Sequence, residues 1–431
     1  MGKKIGFIST RFAGTDGVSL EAAKWSDTLE KSGHRCFWFA GELDRDPEQS
    51  LYVPEAFFQD QRNRAIDAAI FGKKKRSRET TEAIHALRAL LKERLYAFIS
   101  RFEIDMLVAQ NVLTIPMHVP LGLAVAETIA ETQLPTVAHH HDFYWERTRF
   151  AVNAVGDYLR MAFPPNLPNL EHVVINSAAQ EELALRTGVS SVIIPNALDF
   201  ENPPPVDEKH TEAFRRGIGL AHGDRLILQP TRIVQRKGIE HAIELVHELG
   251  DPRYKLVISH EAGDEGFEYA EWLKEHAADM GVDLRLIGTR VPGAPQGLTL
   301  WELYSHADFI TYPSLYEGFG NAFLEAVYFR KPLLINRYAT FVRDIEPKGF
   351  DLIVMDGYLT KRIVRQVREV LESPTRWVQM TSHNYAVATR HYSYAVLRRQ
   401  LDNLMANFFG VNQRVVEGDG RSGAPSSHRN P

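Results

Sequence analysis

Short apolar runs alternate along the chain with longer stretches in which apolar residues recur every three or four positions. The short runs have the length of buried strands, while stretches such as Ser19 to Lys31 and Ala178 to Arg186 have helical spacing. This alternation predicts a parallel sheet with helices on both faces. The strands predicted for the first half are Ile5 to Ser9, Cys36 to Ala40, Met106 to Ala109, Thr136 to Ala138, Val173 to Ile175 and Val192 to Ile194.

The same rhythm restarts after a polar, proline-rich segment, PNALDFENPPPVDEKH. The strands predicted there are Arg225 to Leu228, Lys255 to Ser259, Asp283 to Ile287, Phe309 to Tyr312, Pro332 to Asn336 and Leu352 to Met355. We therefore predict an α/β protein of two doubly wound domains, residues 1–198 and 199–385. The later helical pattern predicts that residues 386–412 pack back toward the first domain, and the polar residues 413–431 are predicted to be disordered.

Length and composition agree with two folded domains. The 431 residues exceed what one hydrophobic core supports, and 44% hydrophobic with 24% charged residues is typical of globular proteins. The formal net charge of −5 provides no general attraction to nucleic acid or anionic lipid. The single cysteine excludes an internal disulfide, and the first apolar run is too short for a signal or membrane segment. We expect a cytoplasmic protein without a nucleic-acid partner and without stable membrane insertion.

Ligands of open parallel sheets bind beyond the carboxyl ends of the strands, so the loops there are the first candidates for a site. The first such loop is RFAGTDGVSLEAAKW. Gly14 and Gly17 allow a tight turn, and the amides that open the Ser19 helix would face an anion. A plain turn is the alternative, because the paired glycines of the dinucleotide fingerprint are missing.

The second candidate loop is QPTRIVQRKGIEHAIELV, which follows the first strand of the second domain. Arg232 and Lys237 lie on either side of a short linker, and Gly238 opens an amphipathic helix. Two cations beside a helix N-terminus suit a diphosphate. Two solvated surface cations are the alternative.

The third candidate loop, PSLYEGFGNAFLEAVYFRKP, is the most informative. Glu317 is predicted in a loop, Gly318 and Gly320 allow close approach of the backbone to a ligand, and Glu325 lies on the second turn of a helix that starts near Asn321. Backbone amides at the helix start would bind phosphate. The two carboxylates would accept hydrogen bonds from a diol, so we interpret them as hydroxyl clamps rather than as an acid and base pair.

These residues resemble those of a known family. The pattern from Glu317 to Glu325 resembles the E-x7-E signature of family-4 retaining glycosyltransferases of the GT-B fold, and Arg232 to Gly238 is similar to their diphosphate motif. Ile194-Pro195-Asn196 is similar to the P-N-G turn that this family often has between its domains. The resemblance implies two Rossmann-like domains that face a central cleft.

The resemblance also implies roles for individual residues. Arg232 and Lys237 would neutralise the departing nucleotide diphosphate, Glu325 would hold the ribose and Glu317 the donor sugar. In front-face attack the leaving phosphate takes the acceptor proton, so neither a separate base nor a metal cofactor is expected. The implied donor-binding set is Gly17, Arg232, Lys237, Gly318, Phe319, Gly320, Asn321, Ala322 and Glu325.

Three adjacent histidines occur in VAHHHDFYWER, at the end of a first-domain strand. Successive strand residues point to opposite faces, so His139, His140 and His141 are not expected to converge on one tetrahedral metal ion. His139 should share its side with His141, whereas His140 faces away. By resemblance, His141 faces the donor sugar and completes a catalytic set with Glu317, Arg232 and Lys237.

The acceptor is expected on the first domain, because the donor occupies the second. Arg147 and Arg149 follow the histidines and would suit an acidic acceptor, with Asp142 and Trp145 beside them. The alternative is that these arginines are paired with Asp142 and Glu146. The basic run at residues 73–78 is predicted to be a solvated loop, with contact to a membrane surface as the alternative, and the D-x-D sequence at Asp44 is predicted to be a surface turn.

The chain departs from the family pattern after the third loop. A glycine before the next strand and a Gly-Gly-x-x-Glu stretch are common there, but this chain has Arg330-Lys331-Pro332 and NRYATFVRDIEPKGF. This segment and the opening KIGFISTRFAGTDGVSLEAAKW resemble the mannosylglucosylglycerate synthase subgroup. That resemblance implies a donor such as GDP-mannose, or else UDP-glucose, and a small acidic acceptor such as glucosylglycerate. A nucleotide-sugar epimerase and a non-catalytic nucleotide-sugar-binding protein are the alternatives.

Overall fold

The computed structural model describes residues 2–14, 16–203, 211–259, 267–287 and 300–410. The predicted disordered tail and residues 204–210 of the proline-rich segment lie outside these ranges. In the first half the elements are β1 (Lys4–Ile8), α1 (Gly17–Lys31), β2 (Arg35–Ala40), β3 (Ser50–Tyr52), α2 (Gln61–Ile70), α3 (Arg78–Phe102), β4 (Met106–Gln110), α4 (Val119–Thr132), β5 (Thr136–His140), α5 (Gly156–Ala162), β6 (Leu170–Val174), α6 (Ser177–Thr187) and β7 (Val192–Ile193).

The second half repeats this alternation and ends in helices. Its elements are α7 (Thr211–Gly217), β8 (Arg225–Gln229), α8 (Ile239–Leu249), β9 (Tyr254–Ile258), α9 (Phe267–Asp279), β10 (Leu284–Leu286), α10 (Leu300–His306), β11 (Phe309–Tyr312), α11 (Asn321–Tyr328), β12 (Leu333–Asn336), β13 (Ile353–Met355), α12 (Lys361–Glu372), α13 (Pro374–Tyr392) and α14 (Tyr394–Phe409).

Each half builds one sheet in which all pairings are parallel. The first sheet has seven strands in the order β3-β2-β1-β4-β5-β6-β7, and the second has six in the order β10-β9-β8-β11-β12-β13. The predicted strands are all present, while β3 was missed because its three residues include the exposed Tyr52 and form no apolar run. Since the strands are parallel, the loops after β1, β5, β8 and β11 leave the carboxyl edges of their sheets.

Alternating residues of the central strands fill the two faces of the first sheet. Phe7 packs with α1 on one face, whereas the next residue, Ile8, belongs to the core on the α3 and α4 face. Leu397 and Leu401 of α14 join the Phe7 side of this core. The C-terminal helix therefore packs on the first domain.

The two final helices divide at Ser393. Helix α13 continues without a break past residue 385 and packs with the second domain, where Tyr392 belongs to the same core as Phe323 of α11. Ser393 then caps α14 by accepting a hydrogen bond from the amide of Val396. The chain crosses back at this serine rather than at residue 385.

The structure shows the surroundings of the basic run and of the D-x-D sequence. Arg76 is not a solvated cation, because it forms an ion pair with Asp157, with 2.5 Å between nitrogen and oxygen, and lies 4.4 Å from the ring centroid of Tyr158. Asp44 lies in a loop and accepts a hydrogen bond from the backbone amide of Gly14 at 2.8 Å. Within the described residues, no helix is long and apolar enough to cross a membrane.

Candidate active site

The loop between β11 and α11 brings Glu317 to the carboxyl edge of the second sheet. Gly320 closes this loop with φ of 116°, and a Cβ at that position would lie 2.3 Å from the hydroxyl of Tyr338. Only glycine combines this backbone conformation with such close packing. The position of Glu317 therefore depends on a turn that other residues would disrupt.

Lys237 lies directly against this loop. Its ammonium forms an ion pair with the carboxylate of Glu317, and Arg236 approaches the same carboxylate at 3.5 Å. Burial lowers the pKa of Lys237, while the charge of Glu317 opposes this shift. The two predicted loops thus meet in one buried pair.

A second glycine explains how these loops meet. Gly238 has φ of 59° at the start of α8, and a Cβ there would lie 2.6 Å from the carbonyl oxygen of Pro313. This contact joins the N-terminus of α8 to the turn after β11. The helix end with its partial positive charge therefore lies beside Lys237 and Glu317.

Arg232 differs from Lys237 in its surroundings. Its side chain is exposed, and no hydrogen bond or ion pair to another described residue holds it. Arg232 is nevertheless close enough to lower the pKa of Lys237 by charge repulsion. The structure thus places one buried and one accessible cation at the predicted diphosphate position.

Glu325 lies on the second turn of α11 and is partly buried. Burial raises the pKa of its carboxyl group, and the hydroxyl of Tyr304 and the charge of Lys24 partly offset this effect. Lys24 belongs to α1, so the first domain contributes a charge near the second carboxylate. Glu325 is therefore held close to the boundary between the domains.

The segment after β12, where the sequence departs from the family pattern, supports the Glu317 loop. Tyr338 donates from its hydroxyl to the carbonyl of Phe319 at 2.9 Å, and Thr340 donates to the carbonyl of Glu317 at 3.0 Å. The sequence marked this segment as a departure from the family pattern and as a resemblance to one subgroup, but not as a support of the site. Its polar residues directly after a strand were the available signal for a role in the site.

Replacing Tyr338 with phenylalanine is expected to weaken this support. The change removes only the hydroxyl and leaves the Phe319 carbonyl without its donor, which costs about 1–3 kcal/mol for a buried group. We expect a lower Tm and a several-fold higher KM for the donor, measured by calorimetry and steady-state kinetics. Tyr358→Phe, which removes an exposed hydroxyl, is the matched control. An unchanged KM in Tyr338→Phe would contradict the assigned role.

His141 follows β5 and faces the Glu317 loop across the cleft. Its amide donates to the side-chain oxygen of Asn111 at 3.1 Å, and its Nε2 lies 3.4 Å from Oε1 of Gln110. The carbonyl oxygen of His141 lies 3.6 Å from the position that a Cβ would take at Gly318. The predicted histidine and the predicted carboxylate loop are thus brought together.

The other two histidines alternate as predicted. His140 faces away and contacts Thr114 and His172, with 2.8 Å between Nε2 of His140 and Nδ1 of His172. His139 shares the side of His141, and their ring centroids are 4.4 Å apart. No group of three or more metal-ligating side chains in a metal-binding arrangement occurs among the residues described.

Three polar contacts join the two domains around the loop. The side-chain amide of Asn176 donates to the carbonyl of Gly318 at 2.6 Å, and the side-chain amide of Asn196 donates to the side-chain oxygen of Asn321 at 2.7 Å. Tyr316 donates to Glu146 at 2.6 Å. Asn196 lies in the predicted interdomain turn, whereas Asn176, Glu146 and Tyr316 were not predicted as site residues.

The proposed acceptor residues have partners of their own. Arg147 forms an ion pair with Asp142, which is the alternative that the sequence left open. Trp145 stacks on Phe143 with 4.4 Å between ring centroids, and Arg149 is exposed with its guanidinium 4.5 Å from the ring centroid of Phe150. Arg149 is therefore the more accessible of the two arginines.

The loop between β1 and α1 differs from its predicted role as an anion site. Helix α1 begins at Gly17, and the carboxylate of Asp16 accepts hydrogen bonds from the amides of Val18 and Ser19. The expectation that these amides face a bound anion is therefore wrong, because an N-cap residue already satisfies them. Gly17 itself remains at the cleft, since a Cβ there would lie 3.9 Å from Nδ2 of Asn321.

Comparison with known proteins identifies relatives of this chain. Residues 210–387 match the family described as glycosyl transferases group 1. The chain is 32% identical over 424 residues to mannosylglucosylglycerate synthase of Thermotoga maritima, which covers 90% of this chain and 96% of the relative. It is 31% identical over 385 residues to the protein of the same name from Petrotoga mobilis, with coverage of 81% and 86%.

Solved structures show the same architecture at low sequence identity. Anabaena HepE in complex with UDP and glucose has a TM-score of 0.66 at 14% identity, covering 94% of this chain and 100% of that structure. Sucrose-phosphate synthase from Thermosynechococcus elongatus has a TM-score of 0.65 at 14% identity, with coverage of 94% and 99%. The predicted pair of Rossmann-like domains is thereby confirmed.

Proposed function

Because the chain belongs to the group 1 glycosyl transferases and groups there with the mannosylglucosylglycerate synthases, we propose that it transfers mannose from GDP-mannose to glucosylglycerate with retention of configuration. The observation that carries this proposal is the buried pair of Lys237 and Glu317, on a loop that lies against the carbonyl of His141. The ammonium of Lys237, the carboxylate of Glu317 and the first-domain residue His141 would then surround one sugar diphosphate.

The charges account for departure of the nucleotide. When the bond between sugar and phosphate breaks, negative charge develops on the diphosphate. Lys237, the accessible Arg232 and the N-terminus of α8 stabilise that charge. Electrostatic stabilisation of the leaving group is therefore the largest contribution that we assign to the protein.

Hydroxyl recognition is assigned to the two carboxylates and to His141. Glu325 accepts hydrogen bonds from the ribose, and Glu317 with the backbone from Gly318 to Ala322 holds the sugar. Burial lowers the pKa of His141, so its ring is neutral at pH 7 and able to hydrogen-bond a sugar hydroxyl. The departing phosphate oxygen accepts the acceptor's proton, so the reaction needs neither a separate base nor a metal.

The acceptor is proposed to bind on the first-domain side through its carboxylate. Arg149 is exposed and forms no ion pair among the described residues, whereas Arg147 must share its charge with Asp142. The relatives named mannosylglucosylglycerate synthases support an acidic acceptor of this kind. The negative charge of glycerate explains why arginines lie on this side of a protein whose net charge is −5.

A matched panel of substrates tests the proposal. GDP-mannose, UDP-glucose and ADP-glucose are each combined with glucosylglycerate or with glucosylglycerol, which lacks the carboxylate. We expect turnover with GDP-mannose and glucosylglycerate, and a kcat/KM at least about tenfold lower for the neutral acceptor, because one charge-assisted hydrogen bond is worth about 1.5–3 kcal/mol. Turnover of another donor alone, or equal use of both acceptors, would contradict the corresponding assignment.

A further inference from the structure

Helix α1 carries a buried carboxylate that none of the roles above explains. Glu21 is 1% exposed, and Nζ of Lys24 lies 2.8 Å from its Oε2. The other oxygen, Oε1, is buried and has no hydrogen-bond partner among the described residues. A carboxylate buried with one oxygen unpaired destabilises the folded state, so a structural role alone does not account for it.

The packing of α1 on β5 places Glu21 beside His141. Trp25 of α1 stacks on His139 with 4.3 Å between ring centroids. Glu21 precedes Trp25 by one turn, and His141 follows His139 by two strand positions, while helix and strand run in opposite directions. The four residues from Trp25 back to Glu21 span about 6 Å along the helix, and the two residues from His139 to His141 span about 6.6 Å along the strand. Glu21 and His141 therefore lie at the same level.

The electrostatics of His141 agree with this register. Burial lowers the pKa of His141, and the charge of Glu21 is the largest influence that opposes the shift. Asp142 and Asp16 act in the same direction, whereas Lys24 acts against them. On β5 itself, the ring of His139 lies 4.4 Å from that of His141 at an interplanar angle of 42°, His140 faces the opposite side, and burial keeps both neutral.

Lys24 also acts across the cleft. Its ammonium pairs with Glu21, and its charge lowers the pKa of Glu325 on the second domain. The pair of Glu21 and Lys24 thus acts electrostatically on both His141 and Glu325.

We propose that Glu21, held by Lys24, is the positioning residue of His141: its buried negative charge favours one orientation of the imidazole ring in the transfer cleft. The sugar gains positive charge as its bond to the diphosphate breaks, and a buried anion behind the imidazole stabilises that charge. This role rests on the proposed sugar transfer. Glu21 acts through His141 and does not touch the substrate.

The test compares Glu21→Gln with Glu30→Gln, which makes the same chemical change at an exposed position of α1. In the full chain without substrate, the ring signals of His141 are titrated by NMR, and a His141→Gln sample identifies them. We expect His141 to titrate at lower pH in Glu21→Gln than in the native protein, because a stabilising anion is lost, and no change in Glu30→Gln.

Kinetics supply the second readout. Glu21→Gln should lower kcat at least about tenfold with little change in donor KM, since a misplacement of about 1 Å can cost 10²-fold. Its Tm should not fall, because glutamine removes a buried charge. An unchanged His141 titration, or a native kcat and pH profile, would overturn the proposal. If the native protein itself transfers no sugar, the proposed function fails, while the NMR titration still decides whether Glu21 acts on His141.

Discussion

Replacing Arg232 and Lys237 together with alanine is expected to abolish sugar transfer. Removal of one preorganised donor to a developing anion costs about 10²–10³ in kcat, so loss of both cations should lower kcat by about 10³ or more. Single-turnover assays with a radiolabelled donor would measure this. Turnover at a native rate in the double variant would contradict the assignment of these residues to the leaving diphosphate.

The single variants separate chemistry from stability. Lys237→Ala leaves the Glu317 carboxylate, with an 11% exposed side chain, without its main partner, and breaking a buried pair in this way costs about 3–5 kcal/mol. Arg232 is exposed, so Arg232→Ala should keep the native Tm while kcat falls about 10²-fold. Arg365→Ala removes an exposed arginine of α12 and is expected to change neither quantity.

Replacing Glu325 with glutamine is expected to weaken nucleotide binding and to stabilise the protein. A hydrogen bond to a charged acceptor is worth about 1.5–3 kcal/mol, so the Kd for the nucleoside diphosphate should rise roughly 10- to 150-fold. Because burial raises the pKa of Glu325, its ionisation at pH 7 costs the folded state free energy. Glutamine removes that cost, and the Tm should therefore rise.

The pH dependence of nucleotide binding tests whether ionised Glu325 binds the ribose. The carboxylate accepts the ribose hydroxyls only when ionised, so affinity for the nucleotide should fall as the pH drops through the raised pKa. In Glu325→Gln this part of the dependence should disappear. Titration calorimetry across the acidic range would measure both effects, with Glu369→Gln as an exposed control. A native Kd in Glu325→Gln would contradict the ribose assignment.

The sequence predicted those parts of the site that are local in the chain. Apolar runs identified the strands, and the loops that follow β5, β8 and β11 contain His141, Lys237 and Glu317, because ligands of parallel sheets bind beyond the carboxyl ends of the strands. Alternation along β5 also separated His140 from its neighbours. The positions of these residues followed from the period of a strand and from strand order, whereas the roles predicted for them came from the resemblance to the glycosyltransferase family.

The parts that could not be predicted depend on contacts between distant segments. Tyr338 supports Phe319 from the segment after the next strand, and Tyr316 meets Glu146 although 170 positions separate them. The first-loop expectation was wrong because Asp16 could cap α1 itself, which hydrophobic patterning does not reveal. No sequence pattern distinguishes Glu21 from other helical glutamates, because its position depends on the packing of Trp25 on His139.

The anomeric configuration of the product tests the central claim most directly. The protein is incubated with GDP-mannose, in which the mannose is α-linked, and glucosylglycerate, and the purified product is examined by NMR through the one-bond carbon–hydrogen coupling at the new anomeric centre. Retention at a cleft formed by His141, Lys237 and Glu317 predicts an α-linked mannose. A β-linked product, or no mannosylated product at all, would contradict the account.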